Sequence, residues 1–136
     1  MIYTKMTRYC AYQERSKAEV RQKLRLLGAD SGTAETVMHR LEEEGYIDEA
    51  RFAGAYVRGK FRINGWGRLK IKNGLRAKGV DEKLIAEALR EELNEDLYLE
   101  RLREILSAKG MQTALWRGFE PELVRAEVKN ENPDRS

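Results

Sequence analysis

The chain has 136 residues, of which 41% are apolar and 36% charged, and its net charge is +3. This length can bury a core without metal or disulfide, and the apolar content excludes a wholly disordered chain. The single cysteine, Cys10, excludes an internal disulfide and fits a reducing compartment. No signal-peptide pattern or long apolar run is present, so we expect a soluble, cytoplasmic protein that does not engage a membrane.

Apolar residues recur at helical spacing along the chain, and no stretch shows sustained strand alternation. Helix starts are indicated by a capping-box pattern at Ser16 and Glu19 and by candidate N-caps at Asp30, Asp48 and Asp81. Glycine–apolar pairs at Gly28, Gly45, Gly79 and Gly118 indicate helix ends. The predicted helices are 3–14, 17–27, 32–44, 49–62, 67–78, 82–93, 95–108, 111–117 and 121–130.

One pattern recurs along the chain. Segment 16–30 matches segment 67–81 at an offset of 51 residues, and segment 114–128 contains a weaker third copy, in which Gly118 lies 39 residues after Gly79. The matched positions are Val20 with Ile71, Leu24 with Leu75, Gly28 with Gly79 and with Gly118, and Asp30 with Asp81 and with Glu120. The repeats are therefore about 45 residues long.

Nine helices in three copies predict an all-α fold of about three tandem three-helix repeats in an elongated, curved array. A unit of this size is too small to bury its apolar face well alone, so neighbouring units should stack. We divide the chain into a first repeat (1–46), a second, basic repeat (47–93), a third, weaker repeat (94–130) and a disordered tail (131–136).

Charge is concentrated in the second repeat. Residues 49–80 hold nine basic side chains and one acidic one, whereas residues 81–136 have a net charge of −5. Cations at i and i+4 share a helix face, as Arg68, Lys72 and Arg76 do on one predicted helix and Arg58 and Arg62 on the one before. Like charges on one face repel, so a polyanion or an acidic protein surface explains the block better than a solvated face.

Other features are weaker. Gly65-Trp66-Gly67 could let backbone approach a phosphate, but no GxGxxG or GKS/T pattern accompanies it, so a turn with Trp66 packed on it is favoured. Trp116 and Phe119 are interpreted as packing residues. His39 is the only histidine and lies among glutamates, and it cannot form a zinc site with one distant cysteine. We therefore expect no catalytic, metal-binding or cofactor-binding residues.

The ordered motifs ERSKAEV, LRLLGA, LEEEGYIDEARFAGAYV and NGWGRLKIKNGLRAKGV closely resemble the RecX family of recombination regulators. The resemblance runs from about Tyr9 to Leu93 and weakens beyond it. It implies the same tandem three-helix architecture and a monomeric, non-enzymatic protein of DNA repair, recombination and the SOS response. Proteins of this kind bind the RecA filament in its helical groove and inhibit strand exchange and ATP hydrolysis, and some bind DNA.

Carried onto this chain, the resemblance implies that basic helices of the second repeat face the filament groove and its single- or double-stranded DNA. Arg51 falls in the ARFA-like motif and is either a contact or a structural residue. Two alternatives stay open, a general DNA-binding helical module without a filament partner and a scaffold for an acidic protein. The predicted partner-binding and nucleic-acid-binding residues are Arg58, Lys60, Arg62, Arg68, Lys72 and Arg76.

Overall fold

The structure, a computed structural model, describes residues 1–131. Within that range the chain is all-helical, with nine α-helices and no strand, as predicted. The helices are α1 (Ile2–Tyr12), α2 (Lys17–Leu26), α3 (Ser31–Glu43), α4 (Glu49–Arg62), α5 (Arg68–Ala77), α6 (Glu82–Glu92), α7 (Glu95–Lys109), α8 (Met111–Trp116) and α9 (Pro121–Glu131). Apart from Glu131, which ends α9, the predicted disordered tail lies outside the described residues.

Local capping signals fix the helix ends. Ser16 accepts from the Glu19 amide while the Glu19 carboxylate accepts from the Ser16 amide, which completes the predicted capping box. Asp30, Asp48 and Asp81 each cap a helix N-terminus through a side-chain oxygen, as predicted. The four predicted helix-ending glycines all have φ between +77° and +93°, the left-handed region that glycine occupies without strain.

The repeat is confirmed in the packing. Val20 and Leu24 of α2 and their counterparts Ile71 and Leu75 of α5 are all fully buried. The third copy is degenerate, because α8 has six residues against ten in α2 and in α5. We call helices α1–α3 the first unit, α4–α6 the second and α7–α9 the third.

The units do not share one continuous core. Buried apolar residues of the first unit, among them Met6, Leu24 and Leu41, form one cluster. Those of the second and third units form a single larger cluster, in which Ile71 of α5 and Leu102 of α7 both take part. The expected stacking of neighbours therefore produces a common apolar core for the second and third units, while the first unit has a core of its own.

The joint between the first and second units is polar. The Lys17 amide donates to Glu49 Oε1 at 3.0 Å, and Arg51 Nε donates to Glu14 Oε1 at 2.6 Å. Arg51 also donates from Nη2 to the carbonyl oxygen of Gly45 at 3.1 Å. Arg51 thus ties the first unit to α4, which supports the structural alternative for this residue.

The second and third units meet through backbone. The Gly67 amide donates to the Arg117 carbonyl oxygen at 2.8 Å, and the Leu69 amide donates to that of Gly118 at 3.0 Å. A Cβ on Gly67 would lie 2.5 Å from the Phe119 amide nitrogen, closer than real Cβ atoms approach any neighbour. We call this contact, made by Gly67 and Leu69 with residues 117–119, the glycine clasp, and it places the end of α8 against the start of α5.

Candidate functional site

The fold supplies acids to a basic block that has no acidic residue between Arg51 and Val80. Five of its nine cations form ion pairs with carboxylates that come from outside the block. The pairs are Arg51 with Glu14, Arg58 with Glu92, Arg68 with both Glu95 and Glu120, Arg76 with Glu82, and Lys78 with Glu19. Helices α4 and α5 therefore do not present a uniformly basic face.

Arg68 is more buried than the other ion-paired residues of the predicted contact set, with its side chain 25% exposed against 42% for Arg58 and 47% for Arg76. Its guanidinium bonds Glu120 at 2.8 Å and lies 3.8 Å from the centroid of the Tyr98 ring. The Tyr98 hydroxyl donates to Glu120 Oε1 at 2.5 Å and accepts from the Arg68 amide at 2.9 Å. The three residues form a closed network between the second and third units.

The pKa shifts in this network follow from its bonds. Burial would raise the pKa of Glu120, but the Tyr98 hydroxyl and the Arg68 guanidinium outweigh it and leave that pKa lowered. Burial likewise opposes the charged form of Arg68, and Glu120 overcomes it so that the Arg68 pKa is raised. The pKa of Tyr98 is raised, first by burial and then by its bond to Glu120. All three groups keep their ordinary charge at neutral pH, and Arg68 holds the two units together.

Arg58 and Arg76 are also engaged within the chain. Arg58 Nη1 lies 2.7 Å from Glu92 Oε1 across the packed pair α4 and α6. Arg76 makes two bonds to Glu82, one of them between Nη2 and Oε2 at 3.1 Å. Arg68, Lys72 and Arg76 share one face of α5, as predicted, and two of these three cations are neutralised by carboxylates.

Four cations of the block have no ion pair among residues 1–131: Lys60, Arg62, Lys70 and Lys72. Arg62 lines a groove between α4 and α7, and Lys72 lines another where α5 meets α6 and the start of α7. Lys60 and Lys70 instead lie over aromatic rings. Three of the four, Lys60, Arg62 and Lys72, were predicted contacts, and Lys70 was in the block but not among them.

Lysines and aromatic rings alternate across the second and third units. Lys60 Nζ lies 5.5 Å from the ring centroid of Tyr56 and 4.8 Å from that of Trp66. Lys70 Nζ follows, 4.7 Å from the Trp66 ring and 4.2 Å from the Trp116 ring. We call these five residues the aromatic–lysine row. It contains both tryptophans of the chain.

Trp116 corrects one sequence interpretation. It was expected to pack in the third repeat, yet it is 78% exposed, whereas Phe119 is buried as expected. The reason is its place at the end of the six-residue α8, beyond the part of that helix that reaches the core through Ala114. Trp66, which was predicted to pack on the turn, is partly buried and packs against the core. In the sequence, the exposure of Trp116 was indicated only by the neighbouring Arg117, because the helix in the third copy is too short for apolar spacing to define a buried face.

Two guanidinium groups converge on the loop between α4 and α5. A Cβ built on Gly65 would lie 2.8 Å from Arg117 Nη1 and 3.2 Å from Arg101 Nη2. Arg101 Nε is buried with no hydrogen-bond partner among the described residues, which is unusual for a donor. Arg117 has no ion pair within the same part of the chain. Arg101 also pairs with Glu104 through Nη1 at 3.3 Å. Of the two guanidinium groups beside the loop that carries Trp66, that of Arg117 is therefore the one without a carboxylate partner among the described residues.

The residues considered for catalysis lie apart from this surface. Cys10 is buried in the core of the first unit, and burial raises the pKa of its thiol. His39 is exposed and pairs with Glu43 on α3. Across residues 1–131, no cluster of three or more His, Cys, Asp or Glu side chains could hold a metal ion. Over the same residues, no helix has the length and apolar character needed to span a membrane.

The fold and this surface define a helical-repeat protein built from tandem three-helix units, with lysines beside aromatic rings on its middle and last units and one of those rings, Trp116, exposed. Two family models match, the first three-helix domain of RecX over residues 3–41 and the second three-helix domain of RecX over residues 48–89. Together they cover more than half of the chain, which belongs to the RecX family of regulatory proteins.

Several curated relatives carry the name regulatory protein RecX. The one from Amycolatopsis mediterranei is 35% identical over 79% of this chain and 65% of its own length. Those from Prosthecochloris aestuarii and Clostridium acetobutylicum are 36% and 34% identical, over 61% and 70% of this chain and 55% and 44% of their own lengths. The chain thus spans less than two thirds of the length of these relatives.

Solved structures agree on the fold. The crystal structure of RecX from Lactobacillus salivarius superposes with a TM-score of 0.84 at 23% identity, covering 94% of this chain and 92% of that one. The crystal structure of another regulatory protein RecX gives a TM-score of 0.82 at 22% identity, covering 93% of this chain and 71% of that one. These coverages include the third unit, which neither family model reaches.

Proposed function

We propose that this protein regulates the RecA recombinase by binding in the groove of the RecA–DNA filament and limiting strand exchange and ATP hydrolysis during DNA repair. Membership of the RecX family supports the link to RecA. The observation that carries a surface role is the set of cations left without an ion pair in the second unit, because the fold neutralises their neighbours and leaves these four available.

Within the predicted contact set, the structure separates two groups by their bonds. Arg58, Arg68 and Arg76 are held in ion pairs inside the chain, and we assign them to holding helices and units together. Lys60, Arg62 and Lys72 have no such pairs among the described residues, and we assign them to the filament. A partner must displace a carboxylate to reach the first group but not the second, so the second group contributes more to association.

The test is RecA ATPase activity on single-stranded DNA, with and without this protein. We expect wild type to inhibit, and the triple variant Lys60→Gln, Arg62→Gln, Lys72→Gln to need about tenfold more protein for the same inhibition. The matched control is Lys5→Gln, Arg8→Gln, Lys83→Gln, which removes the same charges from exposed sites on α1 and α6. No inhibition by wild type, together with no recovery of RecA–DNA filaments on it at low salt, would overturn the proposal.

Direct DNA binding without a filament partner is the second candidate function, and the aromatic–lysine row is the observation that favours it. Binding of a DNA duplex in the absence of RecA would then weaken with salt, with a logarithmic slope of about −0.9 for each phosphate contacted. Binding that depends entirely on RecA argues against this candidate and leaves the first intact.

A further inference from the structure

We propose that the aromatic–lysine row binds single-stranded nucleic acid, with an unpaired base stacked on Trp116 and backbone phosphates held by Lys70, Lys60 and Arg117. The inference sharpens the second candidate function into a site, a ligand class and a mode of contact. It does not depend on binding to RecA.

The side chain of Trp116 is exposed to solvent, which is unusual for a tryptophan. An indole ring that is 78% exposed leaves most of its apolar area in water, while the protein buries Tyr98, Phe119 and Phe52. Scattered exposed apolar residues are ordinary on protein surfaces. Trp116 differs from them because a lysine ammonium lies 4.2 Å from its ring centroid and a second indole lies beyond that ammonium.

The two indole rings of the row lie close together on either side of the Lys70 ammonium. Since Lys70 Nζ lies 4.7 Å from one indole centroid and 4.2 Å from the other, the two rings are at most about 9 Å apart. Proteins that bind single strands combine a positive groove along the backbone with aromatic side chains on which bases stack. The row has cations and aromatic rings in alternation, which are the chemical components of such a surface.

Positive charge lies in the row and beside it. Lys70 has no carboxylate within ion-pair distance in the part of the chain that the structure describes. Arg117 directly follows Trp116, and its guanidinium meets that of Arg101 beside Gly65. Arg101 is paired with Glu104 at 3.3 Å, so Lys70 and Arg117 are the cations here without an ion pair among residues 1–131. Unpaired cations favour an anion, and a phosphate backbone provides one next to each base.

A single strand fits these observations better than a duplex does. The bases of a duplex are already stacked and paired, so no base face is free for an exposed indole ring to stack on unless two neighbouring base pairs are first unstacked. An acidic protein surface would use the lysines but gives no reason for the alternation with indole rings. The exposed face of Trp116 is therefore assigned to an unpaired base.

The test is binding of a fluorescein-labelled oligodeoxythymidylate of about 12 nucleotides, followed by anisotropy without RecA. Wild type should bind, and Trp116→Ala should weaken binding between about 5-fold and 150-fold, the equivalent of one stacked base. Lys70→Gln should lower the salt slope by about 0.7, whereas Trp116→Ala should leave that slope unchanged. This difference separates stacking from charge.

Two controls match these changes. Ile63→Ala removes another exposed apolar side chain, 83% exposed and outside the row, and Lys5→Gln removes an exposed charge from α1. Both should bind like wild type. Quenching of intrinsic fluorescence by the unlabelled oligonucleotide should fall sharply in Trp116→Phe, which leaves Trp66 as the only tryptophan.

Wild-type affinity in Trp116→Ala would overturn the proposal. So would a loss of affinity for RecA filaments in Trp116→Ala with oligonucleotide binding intact, because the row would then be a protein interface. Equal weakening of duplex and single-strand binding by Trp116→Ala would also refute base stacking. Failure of RecA regulation leaves these readouts unaffected, since none of the binding assays with wild type and oligonucleotide contains RecA.

Discussion

Replacing Gly67 with alanine tests the glycine clasp. The Gly67 φ of −84° suits any residue, so the substitution causes no backbone strain of its own. The added Cβ would lie 2.5 Å from the Phe119 amide nitrogen and 2.6 Å from the Gly118 carbonyl carbon and oxygen. All three are backbone atoms, which cannot move aside as the end of a side chain can. The start of α5 must therefore separate from the end of α8.

The expected cost has two parts. Forcing one extra carbon into a packed contact costs about 1–3 kcal/mol. Separation also stretches the two clasp hydrogen bonds, each with a net value of about 1 kcal/mol. The lower conformational freedom of alanine in the unfolded chain returns only about 0.4–1 kcal/mol. We expect Gly67→Ala to lower the free energy of unfolding by about 2–4 kcal/mol.

Gly59→Ala is the matched control and should change stability in the opposite direction. Gly59 lies inside α4, and a Cβ added there meets no atom within 4 Å. Alanine is favoured over glycine in a helix interior, so the free energy of unfolding should rise by about 0.5–1 kcal/mol. The assay is urea unfolding followed by circular dichroism. A Gly67→Ala value within about 0.5 kcal/mol of wild type would refute the clasp.

Three further predictions concern the two cores and the network between units. Tyr98→Phe should lower the free energy of unfolding by about 1–3 kcal/mol, because it removes the hydroxyl from a buried network, whereas Tyr12→Phe, at a side chain that is 83% exposed, should change it by less than about 0.5 kcal/mol. Because the pKa of Glu120 is lowered in the folded protein, its ionised form stabilises the fold, fully so above the unfolded-state pKa of about 4.3. This stabilisation is lost as the pH falls through the folded-state pKa. In urea unfolding, the difference in the free energy of unfolding between wild type and Glu120→Gln should therefore shrink below about pH 4. The Cys10 thiol reports on the first core alone, so its reaction with a thiol reagent during urea unfolding should have the same midpoint in Gly67→Ala as in wild type, and a shifted midpoint would show that the two cores unfold together.

Local signals account for the part of the fold that the sequence predicts. Ser16 and Glu19 form a capping box three residues apart, and Asp48 bonds the amide of Arg51, also three residues away. Interactions this short are set by the sequence before any tertiary contact exists. The glycine ends and the recurring apolar positions follow from the same short-range rules. The helices and the repeat were therefore predictable, and the structure confirms them.

The ion pairs of the candidate site join residues that are far apart in the sequence, and local sequence patterns cannot predict such pairs. Arg68 bonds Glu120, 52 residues later, and Arg58 bonds Glu92, 34 residues later. Charge counting by segment treated all nine cations alike, because it had no means to assign these carboxylates. Trp116 posed a different problem. A helix of six residues is too short for apolar spacing to distinguish a buried face from an exposed one.

The division of the cations into paired and unpaired sets decides which substitutions can test function. Neutralising Arg68 would break its bonds to Glu95 and Glu120 and leave the Tyr98–Glu120 network without its positive charge. Loss of activity in such a variant would report either a lost contact or a loosened joint, and the two could not be told apart. Lys70→Gln and Trp116→Ala avoid this ambiguity, because neither side chain has an ion pair or a place in the buried core among the described residues.

The glycine clasp brings the segments that carry Lys70 and Trp116 close together: a Cβ added to Gly118 would lie 2.4 Å from Lys70 Cβ. Gly67→Ala should therefore weaken oligonucleotide binding under conditions in which the chain is still folded, whereas Gly59→Ala should leave it unchanged. Unchanged binding in Gly67→Ala would show that the row forms without the clasp.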